Sequence, residues 1–207
     1  MTGRAGEIEL TPDLLLAAYR EGYFPMAESR TGPIFWYSPD PRAIIPLEQF
    51  QSSRSLRQVL KKKLFTITVN VSFQEVIAAC ASRAETWISD EIVEVYTALH
   101  RMGHAHSVES WRDGRLSGGL YGVAIGGAFF GESMFSHEPN SSKVALAMLV
   151  DRLRDRGFIL LDAQFMTEHL RQFGTQEIPR GKYLQILRKA LQINAEFDEP
   201  APHDSGL

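Results

Sequence analysis

Apolar positions along the chain follow two periods, and each marks a class of element. After Thr11-Pro12-Asp13, a capping hydroxyl, a proline at the first helical position and an acid, the run LLLAAYRE predicts a helix that stops at Gly22. Ile92, Val95, Tyr96 and Leu99 recur at i, i+3, i+4 and i+7, which predicts a helix over Asp90 to Met102 with Gly103 as its stop. Leu146, Leu149, Val150 and Leu153 share one face of a longer helix, Ser141 to Arg156, with Gly157 past its end. Ser53 to Lys63 reads as a basic helix. Ser72-Phe73-Gln74-Glu75 matches a capping box opening a helix to about Ala81. Two further helices are predicted over Thr167 to Phe173 and Gly181 to Leu191.

Other segments read as strands. His106 to Trp111, Leu116 to Ile125 and Ala128 to Phe135 are separated by Asp113-Gly114 and Gly126-Gly127, both hairpin signals, so they form an antiparallel meander. Phe65 to Val69 is a strand by its β-branched content, and Ala43 to Leu47 a short one. Phe158-Ile159-Leu160-Leu161-Asp162 is a continuous apolar run closed by an acid, as in a buried strand. The order hairpin strands, long helix, buried strand, helix is that of acyl-CoA N-acetyltransferases, by analogy. The expected class is α/β: a small helical N-terminal domain, 1–40, then an acetyltransferase-like (GNAT-like) domain, 41–193, with a mixed, largely antiparallel sheet. Two X-Pro steps in Ser38-Pro39-Asp40-Pro41 favour extended backbone and put the boundary near Asp40.

Composition narrows the class. The chain has 207 residues, 44% hydrophobic and 23% charged, enough for a full core without covalent staples. The lone Cys80 excludes an internal disulfide and a cysteine-rich zinc site. The first residues lack the apolar core of a secretory signal, and no apolar run approaches the roughly 20 residues that span a bilayer. These features predict a cytoplasmic protein without a membrane partner. The net charge of −3 argues against nucleic acid, but residues 194–207 hold Glu196, Asp198, Glu199 and Asp204 and no Lys or Arg. That stretch reads as an acidic disordered tail, and without it the body carries +1.

Familiar motifs fail. The glycines never form G-x-G-x-x-G, Gly181-Lys182 lacks the rest of a phosphate-binding loop, and Gly131-Glu132-Ser133-Met134-Phe135 ends in Phe where a nucleophile elbow needs Gly. His104 and His106 have no third ligand nearby, so no metal is expected. Three features remain. Arg54, Arg57, Lys61, Lys62 and Lys63 form a basic face with no acid among them, suited to a phosphate backbone or simply solvated. Asn140-Ser141-Ser142-Lys143 opens the long helix and reads either as an anion site or as a plain cap. Glu132 and the pair Asp162/Gln164 stand in apolar runs where a carboxylate is costly unless paired. They read equally as site residues or as a surface-facing acid and a capped strand end.

The blocks GYFPM, WYSPDPRAIIPL, SRSLR, TWI, LHRMGHAHSVESW, GGLYGVAIGGAFFGESMFS, NSSKVAL, LLDAQ and EIPR, in this order over about Leu14 to Leu187, resemble the leucyl/phenylalanyl-tRNA–protein transferase family. The resemblance implies transfer of Leu or Phe, and less readily Met, from aminoacyl-tRNA to proteins whose N-terminal residue is Arg or Lys, a degradation signal of the N-end rule. It implies an enzyme without cofactor, acting as a monomer. Carried over residue by residue, Asp162, Gln164 and Glu132 match the catalytic group, and Trp87 the tryptophan that stacks on the terminal adenosine. Leu120, Phe129, Met134, Leu149, Leu153 and Leu161 match the pocket for the transferred side chain, and Arg54, Lys61 and Lys62 the basic tRNA cluster. Met26 stands where the family has Trp, and Gln58 where a basic residue is expected, with Arg57 and Lys63 nearby. An acyl-CoA N-acetyltransferase and a non-catalytic tRNA-binding module are the other readings. The first lacks a glycine in NSSK, and the second has no use for the Asp162/Gln164 pair.

Overall fold

A computed structural model describes residues 10–83 and 86–198. The first helix, α1 (Pro12–Arg20), begins as its sequence dictates: Thr11 Oγ1 accepts from the Leu14 amide, and Gly22 takes the left-handed φ of +83° that ends the turn. Next come β1 (Phe24–Ala27) and β2 (Ile34–Tyr37), an antiparallel hairpin in the unit expected to hold one helix and a proline-rich turn region. The prolines at 25 and 33 disguise it in the sequence, since an isolated edge hairpin tolerates proline where a central strand does not.

The remaining elements are β3 (Arg42–Ile44), α2 (Arg54–Lys61), β4 (Thr66–Val69), α3 (Phe73–Ala81), α4 (Asp90–Arg101), β5 (Ala105–Arg112), β6 (Arg115–Ile125), β7 (Ala128–Ser136), α5 (Ser141–Asp155), β8 (Leu160–Gln164), α6 (Glu168–Arg171), β9 (Gln176–Ile178) and α7 (Arg180–Ala190). Seven strands form one sheet in the order β4-β5-β6-β7-β8-β3-β9. Every neighbouring pair is antiparallel except β7 and β8, which α5 connects. The expected mixed, mostly antiparallel sheet is therefore present. The strand expected over Ala43 to Leu47 stops at Ile44 and turns into a short 3-10 helix, Leu47–Gln49.

Each face of the sheet carries its own core. Leu15, Leu16 and Tyr19 of α1 join Val76, Ile92, Tyr96, Phe130, Phe135 and Leu187 on one face. Leu56 of α2 and Val144, Leu149, Val150 and Leu153 of α5 join Leu120, Phe129 and Leu161 on the other. Two local expectations change. The Ser72 hydroxyl makes no cap bond, and its amide turns to Glu109, a buried acid on β5 that also holds Thr68 and Ser107 (2.6 and 2.5 Å), so the capping box with Glu75 is not used. Residues 194–198 are packed rather than disordered: Phe197 is buried, stacks on His106 and Phe129 (4.3 and 5.3 Å) and accepts from Arg152 at its carbonyl, while Asp198 accepts from Asn70 (2.6 Å). An aromatic side chain in an otherwise acidic segment has an apolar slot to fill, which charge counting overlooks. The rest of the expected tail, 199–207, lies outside the described residues. Among the described residues no helix is long and apolar enough to cross a membrane.

Candidate active site

β7 and β8 pair only over Ala128–Phe130 against Leu160–Asp162. Beyond this, β7 stays with β6 to Ser136, while β8 stays with β3 to Gln164, whose φ of +63° bends the strand end. Two parallel strands that part company leave a cleft, and here it opens a cavity of about 510 Å³. Ile45, Leu120, Met134, Leu146, Leu149 and Leu161 give it an apolar wall. Met26, Trp87, Arg83 and Phe165 also line it, as do Glu132, Asp162 and Gln164.

A β-bulge creates the position of Glu132. Tyr121 stands opposite Ser133 and Gly122 opposite Gly131, so Glu132 is an extra residue on β7. The insertion reverses the alternation of the strand: Phe130 and Phe135 face one core, Phe129 and Met134 the other. Gly122 is required beside it, because a Cβ there would lie 2.3 Å from the Phe130 carbonyl oxygen. The Glu132 Oε1 atom accepts from Tyr19 Oη (2.5 Å) and from Gln164 Nε2 (2.8 Å), and Tyr19 in turn bonds Tyr96. Its Oε2 atom is buried and has no partner among the described residues. Burial pushes this carboxyl up to about 7, and the bonds from Tyr19 and Gln164 hold it from rising further.

Asp162 is built differently. Arg42 Nε reaches Oδ1 at 2.9 Å and Nη2 reaches Oδ2 at 2.6 Å, a bidentate pair that is buried on both sides. Tyr183 Oη donates to Oδ2 (2.7 Å) and the Gln164 amide to Oδ1 (2.8 Å), so both oxygens are fully occupied. The Arg42 guanidinium lies between the rings of Phe24 and Tyr183, 4.6 Å from each, and bonds the Gly22 carbonyl. The Asp162 carboxylate thus fixes the left-handed residue Gln164, and both of its oxygens are committed to protein donors.

Of the residues singled out in the sequence, Leu120, Met134, Leu149 and Leu161 line the cavity, as do Met26 of β1 and Trp87 of the loop before α4, two segments that meet through the Ala27 amide and Trp87 carbonyl (3.0 Å). Phe129 and Leu153 are not on the wall but in the buried cluster behind it. Ser142 lines the cavity. Ser141 does not, and it cannot serve as an anion donor: it is buried, and its hydroxyl is bonded to the carbonyls of Ser117 and Glu138 (2.8 Å each). The α5 helix comes so close to β6 there that a Cβ on Gly118 would lie 2.2 Å from that hydroxyl. Lys143 is half-buried and donates to Gln172 (2.8 Å). Arg54, Arg57, Lys61 and Lys62 are all exposed along α2, which is anchored by Leu56 alone among its buried side chains. Sequence reasoning missed Arg42, although a buried Asp162 demands a cation and Arg42 stands in the block WYSPDPRAIIPL. It also missed Tyr19, Tyr96 and Tyr183, whose hydroxyls look like ordinary core positions until their partners are known.

Two family models match this chain. One, described as leucyl/phenylalanyl-tRNA protein transferase, matches residues 44–188, and the other, its N-terminal domain, residues 8–40. A leucyl/phenylalanyl-tRNA–protein transferase from Gloeobacter violaceus is 53% identical over 190 residues, which is 92% of this chain and 98% of that protein. One from Herpetosiphon aurantiacus is 54% identical, covering 91% and 98%, and one from Chlorobaculum parvum 56%, covering 86% and 93%. Among solved structures, a DUF2156 domain from Agrobacterium fabrum aligns with a TM-score of 0.41 at 13% identity (79% of this chain, 55% of that one). L-PGS from Bacillus licheniformis aligns with a TM-score of 0.39 at 14% identity (77% and 55%), and likenesses this weak carry no argument about the site. The two matched segments together span nearly all of the described residues, and with relatives about half identical over 93–98% of their own length, the chain belongs to the leucyl/phenylalanyl-tRNA–protein transferase family.

Proposed function

We propose that this protein transfers Leu or Phe, and less readily Met, from aminoacyl-tRNA to the N-terminal Arg or Lys of acceptor proteins, acting in the cytoplasm as a monomer without cofactor. The product would be a signal for N-end rule degradation. One observation carries this reading: a single cavity joins an apolar wall, able to hold an aliphatic or aromatic side chain, to a half-paired buried carboxylate. The parallel β7/β8 pair connected by α5 also suits the acetyltransferase-like arrangement, in which an acyl group lies between parting strands.

The donor is an ester and the acceptor an amine, so the chemistry is downhill and needs no protein nucleophile. The amine nitrogen attacks the ester carbonyl, and the bond to the ribose oxygen breaks. A proton leaves the nitrogen, and the ribose oxygen gains one. Holding both substrates in line supplies most of the acceleration, for which roughly 7–11 kcal/mol is available. Glu132 Oε2 is the acceptor for the nitrogen's proton in this reading, and Gln164, held through Oε1 and by Asp162 through its backbone, orients the group. Met134, Leu120, Leu149 and Leu161 take the transferred side chain. Trp87 and Met26 take the adenosine, with sulfur against the ring where the family has indole. The exposed cations of α2, with Lys143, take tRNA phosphates.

Purified protein with Leu- or Phe-charged tRNA and peptides beginning with Arg, Lys or Ala tests the assignment. Transfer to the Arg and Lys peptides and none to the Ala peptide is expected. Acetyl transfer from acetyl-CoA with no activity on charged tRNA would overturn it.

A further inference from the structure

Two polar atoms of the cavity wall have no hydrogen-bond partner among the described residues. They are Tyr121 Oη and Glu132 Oε2, both buried, on side chains that line the cavity. Tyr121 is 0% exposed and Glu132 9%. Buried phenols ordinarily find a partner, as neighbouring Tyr19 and Tyr96 do in bonding each other. The Tyr121 ring has no freedom to look for one. It is edge-on to Tyr96 (5.5 Å, 78°) and to Phe73 (5.9 Å, 77°), so packing decides where its hydroxyl points. The register explains why the two orphans coincide. Tyr121 stands opposite Ser133 at the bulge that makes Glu132 the extra residue, and both side chains lie on the face that carries Tyr19.

We propose that Glu132 Oε2 and Tyr121 Oη together form a seat for a primary ammonium group brought in by a substrate. An ammonium has three donors and no acceptor, and this pair offers it a carboxylate oxygen and a phenol oxygen. A phosphate is excluded by the carboxylate, and an alcohol would satisfy only one of the two atoms with its single proton. Burial and the Glu132 charge hold the phenol well above its usual range, so Tyr121 stays neutral and adds direction rather than charge. The seat rests on the proposed aminoacyl transfer, in which two substrates carry such a group: the acceptor's N-terminal residue and the aminoacyl ester itself.

Tyr121→Phe deletes one oxygen and keeps the ring. The thermal midpoint is expected to hold or rise, because an orphan is removed. If the acceptor's amine occupies the seat, KM for an Arg-initiated peptide rises about tenfold while KM for Phe-tRNA is unchanged, the size expected for a hydrogen bond within a charged pair. If the donor's amine does, wild-type protein binds Phe-tRNA more tightly than N-acetyl-Phe-tRNA and the variant no longer distinguishes them. Either result supports the seat; the first agrees with Glu132 Oε2 taking the attacking nitrogen's proton, and the second assigns that proton to another acceptor. A variant with both affinities and the acetyl discrimination unchanged overturns it, and a lowered midpoint in that variant would mean the hydroxyl is bonded inside the protein or to a structural water. In each of those cases wild-type transfer from charged tRNA still occurs. Its absence would instead overturn the functional assignment.

Discussion

The two buried carboxylates of the cleft solve the same physical problem in opposite ways. Asp162 is neutralised by Arg42, receives bonds from Tyr183 and the Gln164 amide, and has no capacity left. Glu132 makes no ion pair among the described residues; it is bonded at one oxygen, without a partner among them at the other, and pushed up to about 7. A fully satisfied buried charge is rigid and its loss leaves the partner stranded, whereas a half-satisfied one is poised to exchange a proton near neutral pH. Within the proposed function the comparison therefore favours Asp162 for positioning and Glu132 for chemistry, although both read alike in the sequence.

The largest expected effect falls on the paired site. Arg42→Ala leaves Asp162 buried and uncompensated, and stability should fall by about 3–5 kcal/mol, read from chemical denaturation. Activity and tRNA binding should fall with it in proportion to unfolded protein. An Arg42→Ala protein as stable as wild type would break the comparison on its structural side.

Glu132→Gln should do the reverse. The amide keeps the shape and can still accept from Tyr19, so fold and tRNA affinity should survive. The single-turnover rate should drop by roughly 10²–10⁴, the usual contribution of a positioned proton acceptor. Equal losses of rate and tRNA affinity would return Glu132 to a structural role.

The raised Glu132 carboxyl also predicts how stability depends on pH. Between its ordinary value of 4.5 and about 7, the folded protein binds a proton that the unfolded chain has released, so this group's contribution is full below 4.5 and is lost as pH rises through about 7. The loss is at most about 3 kcal/mol, and Glu132→Gln should flatten it in that window. A wild-type curve no steeper than the variant's would contradict the burial argument.

The smallest effect sharpens the boundary between site and surface. Replacing Lys61 and Lys62 by Ala on exposed α2 should weaken tRNA binding equally for Leu- and Phe-charged tRNA. The log–log salt slope should flatten by roughly 0.7–0.9 per lost phosphate contact, and the transfer rate at saturation should be untouched. An unchanged slope would make these cations a solvated face.

What the sequence made legible follows the range of the forces involved. α1, α4 and the β5–β7 meander announce themselves through caps, periodicity and glycine pairs that act within a few residues. The Arg42–Asp162 pair spans 120 residues, and no local pattern encodes it. The bulge at Glu132 was hidden because FFGESMF alternates acceptably in either register, and only the opposing strand shows which residue is surplus. Phe197 was missed for the same reason: its slot is assembled from His106, Phe129 and Phe158, none near it in the chain. The cavity wall was largely identified by likeness to a family, not by periodicity, which marks Leu149 and Leu153 as core alike and cannot tell that only Leu149 reaches the cavity.

The central claim is that Glu132, rather than Asp162, receives the proton. Single-turnover transfer should be measured against pH for wild type and for Glu132→Gln with the same charged tRNA and Arg-initiated peptide. Titration of the peptide's own amine is common to both and cancels in the ratio of their rates. The account predicts a ratio that climbs about tenfold per pH unit below about 7 and levels off above it. A ratio independent of pH, with the acid limb retained in the variant, would contradict it.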